Sequence, residues 1–181
     1  VFQEALAQIL SRLETAQGRG LLNRYALIGG FAVSAWGVPR ATQDFDFAIA
    51  TDQTDPQALA TFIGGRYQAG EPDDPLRGVV TVSIEVEHDP ISLQLVCFPS
   101  PLTKLILRHI ETLSVLECKV PVVSWPMLII LKLYAGGPHD LLDVHQILRI
   151  RRPRAKEVQD IESMAEMAGV LSEWKDVQKN M

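Results

Sequence analysis

The amino-acid sequence predicts an α+β fold: a mixed β-sheet flanked by helices and followed by a helical C-terminal part. Three observations lead there. Segments that alternate polar and apolar residues, such as "QDFDFAIA" and "VVTVSIEVE", are interleaved with segments whose apolar residues recur every three or four positions. Glycine and proline punctuate most of the junctions. From Pro138 onward the alternation stops and only helical spacing is left, so the expected division is a core over residues 1–125 and a helical part over 126–181.

In chain order, Phe2, Leu6, Ile9, Leu10 and Leu13 lie at helical intervals, and Gly18 and Gly20 end that helix. "RYALIGG" reads as a short apolar strand running into a glycine turn. "FAVSAWG" reads as a helix a turn or two longer than those letters, stopped by Gly37 and Pro39. "QDFDFAIA" is a strand, and "DPQALATFIGG" is a helix behind an Asp-Pro start. "EPDDPLRG" is loop. "VVTVSIEVE" and "ISLQLVCF" predict a hairpin turning at His88-Asp89-Pro90, followed by a helix over "PLTKLILRHIE". "LSVLECKVPVVS" can supply one or two strands. Pro126 opens the buried helix "PMLIILKLYAGG", and "RIRRPRAK" separates the helices beyond it.

Composition narrows the function classes. No apolar run approaches the roughly 18 to 20 residues that cross a bilayer, and residues 1–17 read as an amphipathic helix and not as a signal peptide, so the expectation is a cytoplasmic protein with no membrane partner. Cys97 and Cys118 sit in β-like apolar segments and read as buried thiols, not a disulfide or metal pair. A net charge of -5 argues against a surface that coats nucleic acid, while leaving room for a local basic patch.

Side chains two apart on a strand share a face, so Asp44 and Asp46 point one way while Phe45 and Phe47 anchor the strand in the core. Two hard oxygen donors at that spacing suit one or two Mg²⁺ ions; taken alone, Asp-x-Asp is a common pattern that reads first as a solvated edge. Gly29 and Gly30, between a strand and a helix, can let backbone N–H groups approach an anion, or can simply form a steric turn.

The combination "GG…GxxRxTxDxD" over residues 25–50 resembles the nucleotidyltransferase superfamily that includes DNA polymerase beta. Within it, the chain is similar to small bacterial enzymes of the abortive-infection, type IV toxin–antitoxin kind. A second block, "PMLIILKLYAGGPHDLLDV", resembles that family's later motif of a helix lysine followed by "KDxxD", which here is Lys132, His139-Asp140 and Asp143. The resemblance implies a Mg²⁺-dependent enzyme using an NTP. Asp44 and Asp46 would be the metal ligands, Gly29, Gly30 and Ser34 the phosphate cradle, and Arg40, Thr42, Lys132 and Asp140 further site residues. Read from the residues alone, Lys132 is also compatible with snorkelling to solvent, and Asp140 and Asp143 with charges in the first turn of a helix.

The pattern departs from the family twice: the usual Arg/Lys pair before the later aspartate is altered to Gly137 and His139, and the third carboxylate position is changed. The third carboxylate is expected in a strand segment of the form "hDhh", and its counterpart "LQLV" puts Gln94 there, with Glu85, Glu87 and Asp89 as other acids nearby. A neutral amide is a poor metal ligand and no base. Two functions follow: transfer of an NMP from NTP to a hydroxyl of RNA, protein or a small molecule, or a degenerate domain that binds nucleotide or a partner protein without turnover. The basic stretch Arg149–Lys156 is the expected landing place for an RNA or an acidic protein, a cognate antitoxin-like protein among them, if it borders the cleft.

Overall fold

The computed structural model describes residues 1–51 and 54–180. Helix α1 (Phe2–Gly18) leads into β1 (Arg24–Ile28), α2 (Gly29–Ala35) and β2 (Asp44–Ala50). Then follow α3 (Pro56–Ile63), β3 (Arg66–Ala69), β4 (Gly78–Val86), β5 (Asp89–Cys97) and α4 (Ser100–Arg108). Strands β6 (Ile110–Val115) and β7 (Cys118–Val123) precede the helices α5 (Trp125–Ala135), α6 (Pro138–Arg151), α7 (Ala155–Ala168) and α8 (Leu171–Lys179). The α+β reading holds.

The strands form one seven-stranded sheet in the order β3-β4-β5-β2-β1-β7-β6. It is mixed: β1 and β2 are antiparallel, while β2 pairs in parallel with β5 and β1 in parallel with β7. Alternation along β2 sends Phe45 and Phe47 into the core, both fully buried. Phe45 stacks on Phe31 of α2 at 4.1 Å between ring centres and meets Phe2 of α1 edge-on at 6.3 Å. Those contacts place α1 and α2 on one face of the sheet. The opposite face carries Asp44 and Asp46, and there α5 closes over the strand ends with Leu128, Ile129 and Ile130 buried.

Local chemistry explains several boundaries. Asp55 caps α3 by accepting from the Gln57 N–H at 2.9 Å, and Gly64 ends that helix in the left-handed conformation. Ser124 caps α5, with Pro126 in its first turn. The Asp89-Pro90 turn is not formed: the chain reverses at Glu87 and His88, both at positive φ, and Val86 already faces Asp89 in the ladder. Pro90 is accommodated because β2 begins pairing with β5 only at Ser92, so the strand has an open side where a missing N–H costs little. Strand β3 lies within a segment whose pattern predicts no strand. The "LSVLECKVPVVS" region forms two strands around Leu116 and Glu117. Helix α2 starts at Gly29 itself and is short.

Candidate functional site

The turn from β1 to α2 is built around two close approaches. Ile28 pairs with Asp46 across the antiparallel ladder, which brings the Asp46 carboxylate directly against Gly29. A Cβ on Gly29 would stand 2.1 Å from Asp46 Oδ2, and Gly29 has φ +68°. A Cβ on Gly30 would stand 2.7 Å from Thr42 Oγ1. Both positions therefore require glycine for space, and the first also for backbone conformation.

Asp44 is exposed and Asp46 half-buried on the same sheet face. Burial, reinforced by the Asp44 charge and partly offset by Lys132 and Arg40, pushes the Asp46 carboxyl from 3.8 up to about 6. A carboxylate pair held this way favours a cation between its oxygens, so the donor chemistry fits one divalent ion. In the parallel pairing of β2 with β5, Gln94 lies in register with Asp46, and Ser92 with Asp44. The amide thus sits beside the carboxylate pair on the neighbouring strand. Glu85 is in register with Pro90, two strands from β2 and roughly 10 Å or more from Asp44 by sheet spacing. Glu87 is not on the β4 face at all but in the turn. Among the described residues, no three His, Cys, Asp or Glu side chains group as a metal site.

Behind the pair lies a cavity of about 400 Å³, bounded by Gly29, Asp46, Lys132 and Asp140 on its polar side and by Leu76, Phe98, Leu128 and Tyr134 on its apolar side. The Tyr134 hydroxyl donates to the Pro75 carbonyl at 2.6 Å and its ring meets Phe98 edge-on, which holds the 70–77 segment as a wall. Lys132 is 7% exposed, so it does not snorkel to solvent: its ammonium lies 2.8 Å from Asp140 Oδ1 and 2.9 Å from Asp143 Oδ2. Asp140 also accepts from the Gly137 N–H at 3.2 Å, the backbone partner of a helix N-terminus. Asp143 is no first-turn charge. It is 2% exposed and takes the Arg40 guanidinium as well as Lys132. Asp143 stands in the sequence as the last residue of the later motif, while its burial and its pairing with Arg40 are visible only in the structure.

Ser34 is turned away from the cavity, its hydroxyl 3.5 Å from the Arg40 carbonyl, and Thr42 packs on Gly30. Arg149–Lys156 lies at the far end of α6, about 14 Å along the helix from Asp140, and does not stand beside the Lys132 and Asp140 segment. One member, Arg151, is stacked over the rings of Trp36 and Trp125. Cys97 is buried, which pushes its thiol up to about 11, and so it is not poised for chemistry. No described helix is long and apolar enough to cross a membrane.

No protein-family model matches the chain, and no curated protein matches it. Solved structures do. The solution structure of the antibiotic-resistance factor ANT(2'')-Ia aligns over 98% of this chain and 95% of its own, at 15% identity and a TM-score of 0.54. An antigenic nucleotidyltransferase-like protein from Paracoccidioides brasiliensis aligns over 97% and 93%, at 18% identity and 0.54. The lincosamide antibiotic adenylyltransferase LnuA, solved with lincomycin bound, aligns over 80% and 94%, at 13% identity and 0.50. The strand order, the glycine turn and the paired aspartates therefore sit in a chain whose fold is that of the nucleotidyltransferases.

Proposed function

We propose that the protein is a Mg²⁺-dependent nucleotidyltransferase that moves an NMP from an NTP to a hydroxyl of a small polar acceptor. The observation that carries this is the placing of Asp46, with Asp44 on the same strand face, against a glycine turn with no room for a Cβ, beside a largely apolar cavity of about 400 Å³ that Asp46 lines. Asp44 and Asp46 would hold the metal, which when bound neutralises phosphate charge as a Lewis acid. The backbone at Gly29 and Gly30 gives phosphate oxygens close access, with Arg40 and Lys132 supplying the positive field and Asp140 holding Lys132 in place. Leu76, Phe98, Leu128 and Tyr134 offer an apolar wall for a base. Such chemistry belongs in the cytoplasm, where NTP and Mg²⁺ coexist.

The acceptor class follows from the open sheet face beside the pair. Thr81, Ser83 and Glu85 of β4 and Ser92 and Gln94 of β5 share this face with Asp44 and Asp46. Among the described residues, the cation in register with them is Arg66, on the edge strand opposite Thr81. A hydroxyl-rich, net acidic surface repels a polyanion and suits a neutral or cationic polyol. Two of the similar structures hold antibiotics: adenylyl-2''-tobramycin in ANT(2'')-Ia and lincomycin in LnuA. A bulk tRNA pool is expected to show no salt-sensitive binding in a filter assay; retention that falls steeply with salt and is lost when Arg149, Arg152 and Arg154 become Ser would move the acceptor to RNA.

Gln94 supports a second reading, nucleotide binding without turnover, because it occupies the neighbouring-strand position where a base is needed. Pyrophosphate release with Mg²⁺ and each NTP, over a panel of aminated and neutral polyols, separates the two. Gln94→Asp is expected to raise turnover by at least about 100-fold, the usual contribution of a positioned base. A Gln94→Asp variant slower than a working wild type would place the base elsewhere.

A further inference from the structure

We propose that Asp143 is a positioning residue, a clamp that fixes the segment between α2 and β2 and thereby the entry to Asp44; its catalytic consequence rests on the nucleotidyl-transfer reading. A carboxylate 2% exposed is unfavourable unless it is paired, and Asp143 is paired twice, with Arg40 from that segment and with Lys132 of α5 at 2.9 Å. Lys132 in turn lies 2.8 Å from Asp140. Two cations and two carboxylates thus balance in formal charge.

Arg40 is the one residue of the network that belongs to the segment leading into β2. Two positions later, Thr42 rests on Gly30, and two positions after that, Asp44 begins the strand. The clamp therefore ties α6 to the backbone that aims the first carboxylate. It uses a terminal nitrogen of the guanidinium, while Arg40 Nε is buried and has no partner. A buried N–H left open is costly in an apoprotein and is satisfied when an anionic oxygen arrives. By holding Nη1, Asp143 fixes the guanidinium plane and with it the direction of that remaining donor.

Trypsin reads the clamp directly, because it cleaves after Arg40 only when the side chain can leave Asp143. Asp143→Asn is expected to speed cleavage at Arg40 by about 10-fold or more over cleavage at the exposed Arg24 and Arg66, and Asp143→Glu to restore protection. Equal acceleration at all three sites would reduce Asp143 to a stability role and overturn the clamp. In calorimetry with Mg²⁺ and a non-hydrolysable ATP analogue, Asp143→Asn should weaken binding about 10-fold, within the range for groups that orient a site from behind. The loss in the double variant Asp143→Asn with Arg40→Gln should be smaller than the sum of the two single losses, since the pair shares one contact; fully additive losses would overturn the coupling. A wild type that binds no nucleotide would sink the transferase reading, while the cleavage ratio would still decide the clamp.

Discussion

Replacing Asp46 with Asn is expected to make the protein more stable and to weaken sharply its metal-dependent nucleotide binding. The gap between 3.8 and about 6 for this carboxyl corresponds to at most about 3 kcal/mol by which folding disfavours the ionised form. Because the folded state raises this acid's pKa, its cost is absent below about pH 4, grows between 4 and 6, and is fully present above 6. Wild-type stability should therefore fall over that window as pH rises, and denaturant melts of Asp46→Asn should lack this component of the slope. At pH 7 the variant should gain up to about 2–3 kcal/mol. Nucleotide affinity with Mg²⁺ should drop on the order of 100-fold, the equivalent of losing one strong charge-assisted contact. Asp44→Asn, at an exposed position, should lose binding with little gain in stability. Unchanged affinity in both variants would take the metal away from this pair.

The second large effect is expected at Gly29. Alanine there meets Asp46 Oδ2 at 2.1 Å and Asp46 Cβ at 3.0 Å, and φ +68° strains any L side chain. Strained backbone costs about 1–2 kcal/mol and overpacking about 1–3, so Gly29→Ala should destabilise by about 2–5 kcal/mol and turn the Asp46 carboxylate out of place. Gly30→Ala, at ordinary φ, presses only on Thr42 and should cost less. The order of the two melting temperatures checks the assignment. If Gly30→Ala is the worse, the strain at Gly29 is not what holds this turn.

What the sequence reveals here is mostly local. The Asp44 and Asp46 pair, the glycine turn and the interrupted apolar helix at Lys132 are each visible within a few residues, because strand and helix periods put their side chains on definite faces. Gln94 was also readable, since "LQLV" alternates cleanly. Asp143 was visible as a motif residue, but its buried pairing was not: its partner Arg40 lies in a distant loop, and an acid near a helix start has a cheap local explanation that hides a buried one. Pro90 misled for a related reason, in that a dipeptide favouring turns was overruled by strand pairing on one side only. Strand β3, with Arg66 and Gln68 outside any apolar alternation, is defined by its ladder to β4 and by little of its own.

The parallel pairing of β1 with β7, through Leu27 and Val122, has a consequence for how the chain is made. Emerging from the ribosome, β1 can find β2 at once, but its other edge stays open until synthesis has passed Val123. Until then Ala26 and Leu27, fully buried in the finished fold, have no β7 beside them. Long-range closures of this kind slow folding and expose sticky edges. A nascent chain stalled before β7 should recruit chaperones or aggregate, whereas the full chain through α8 should not.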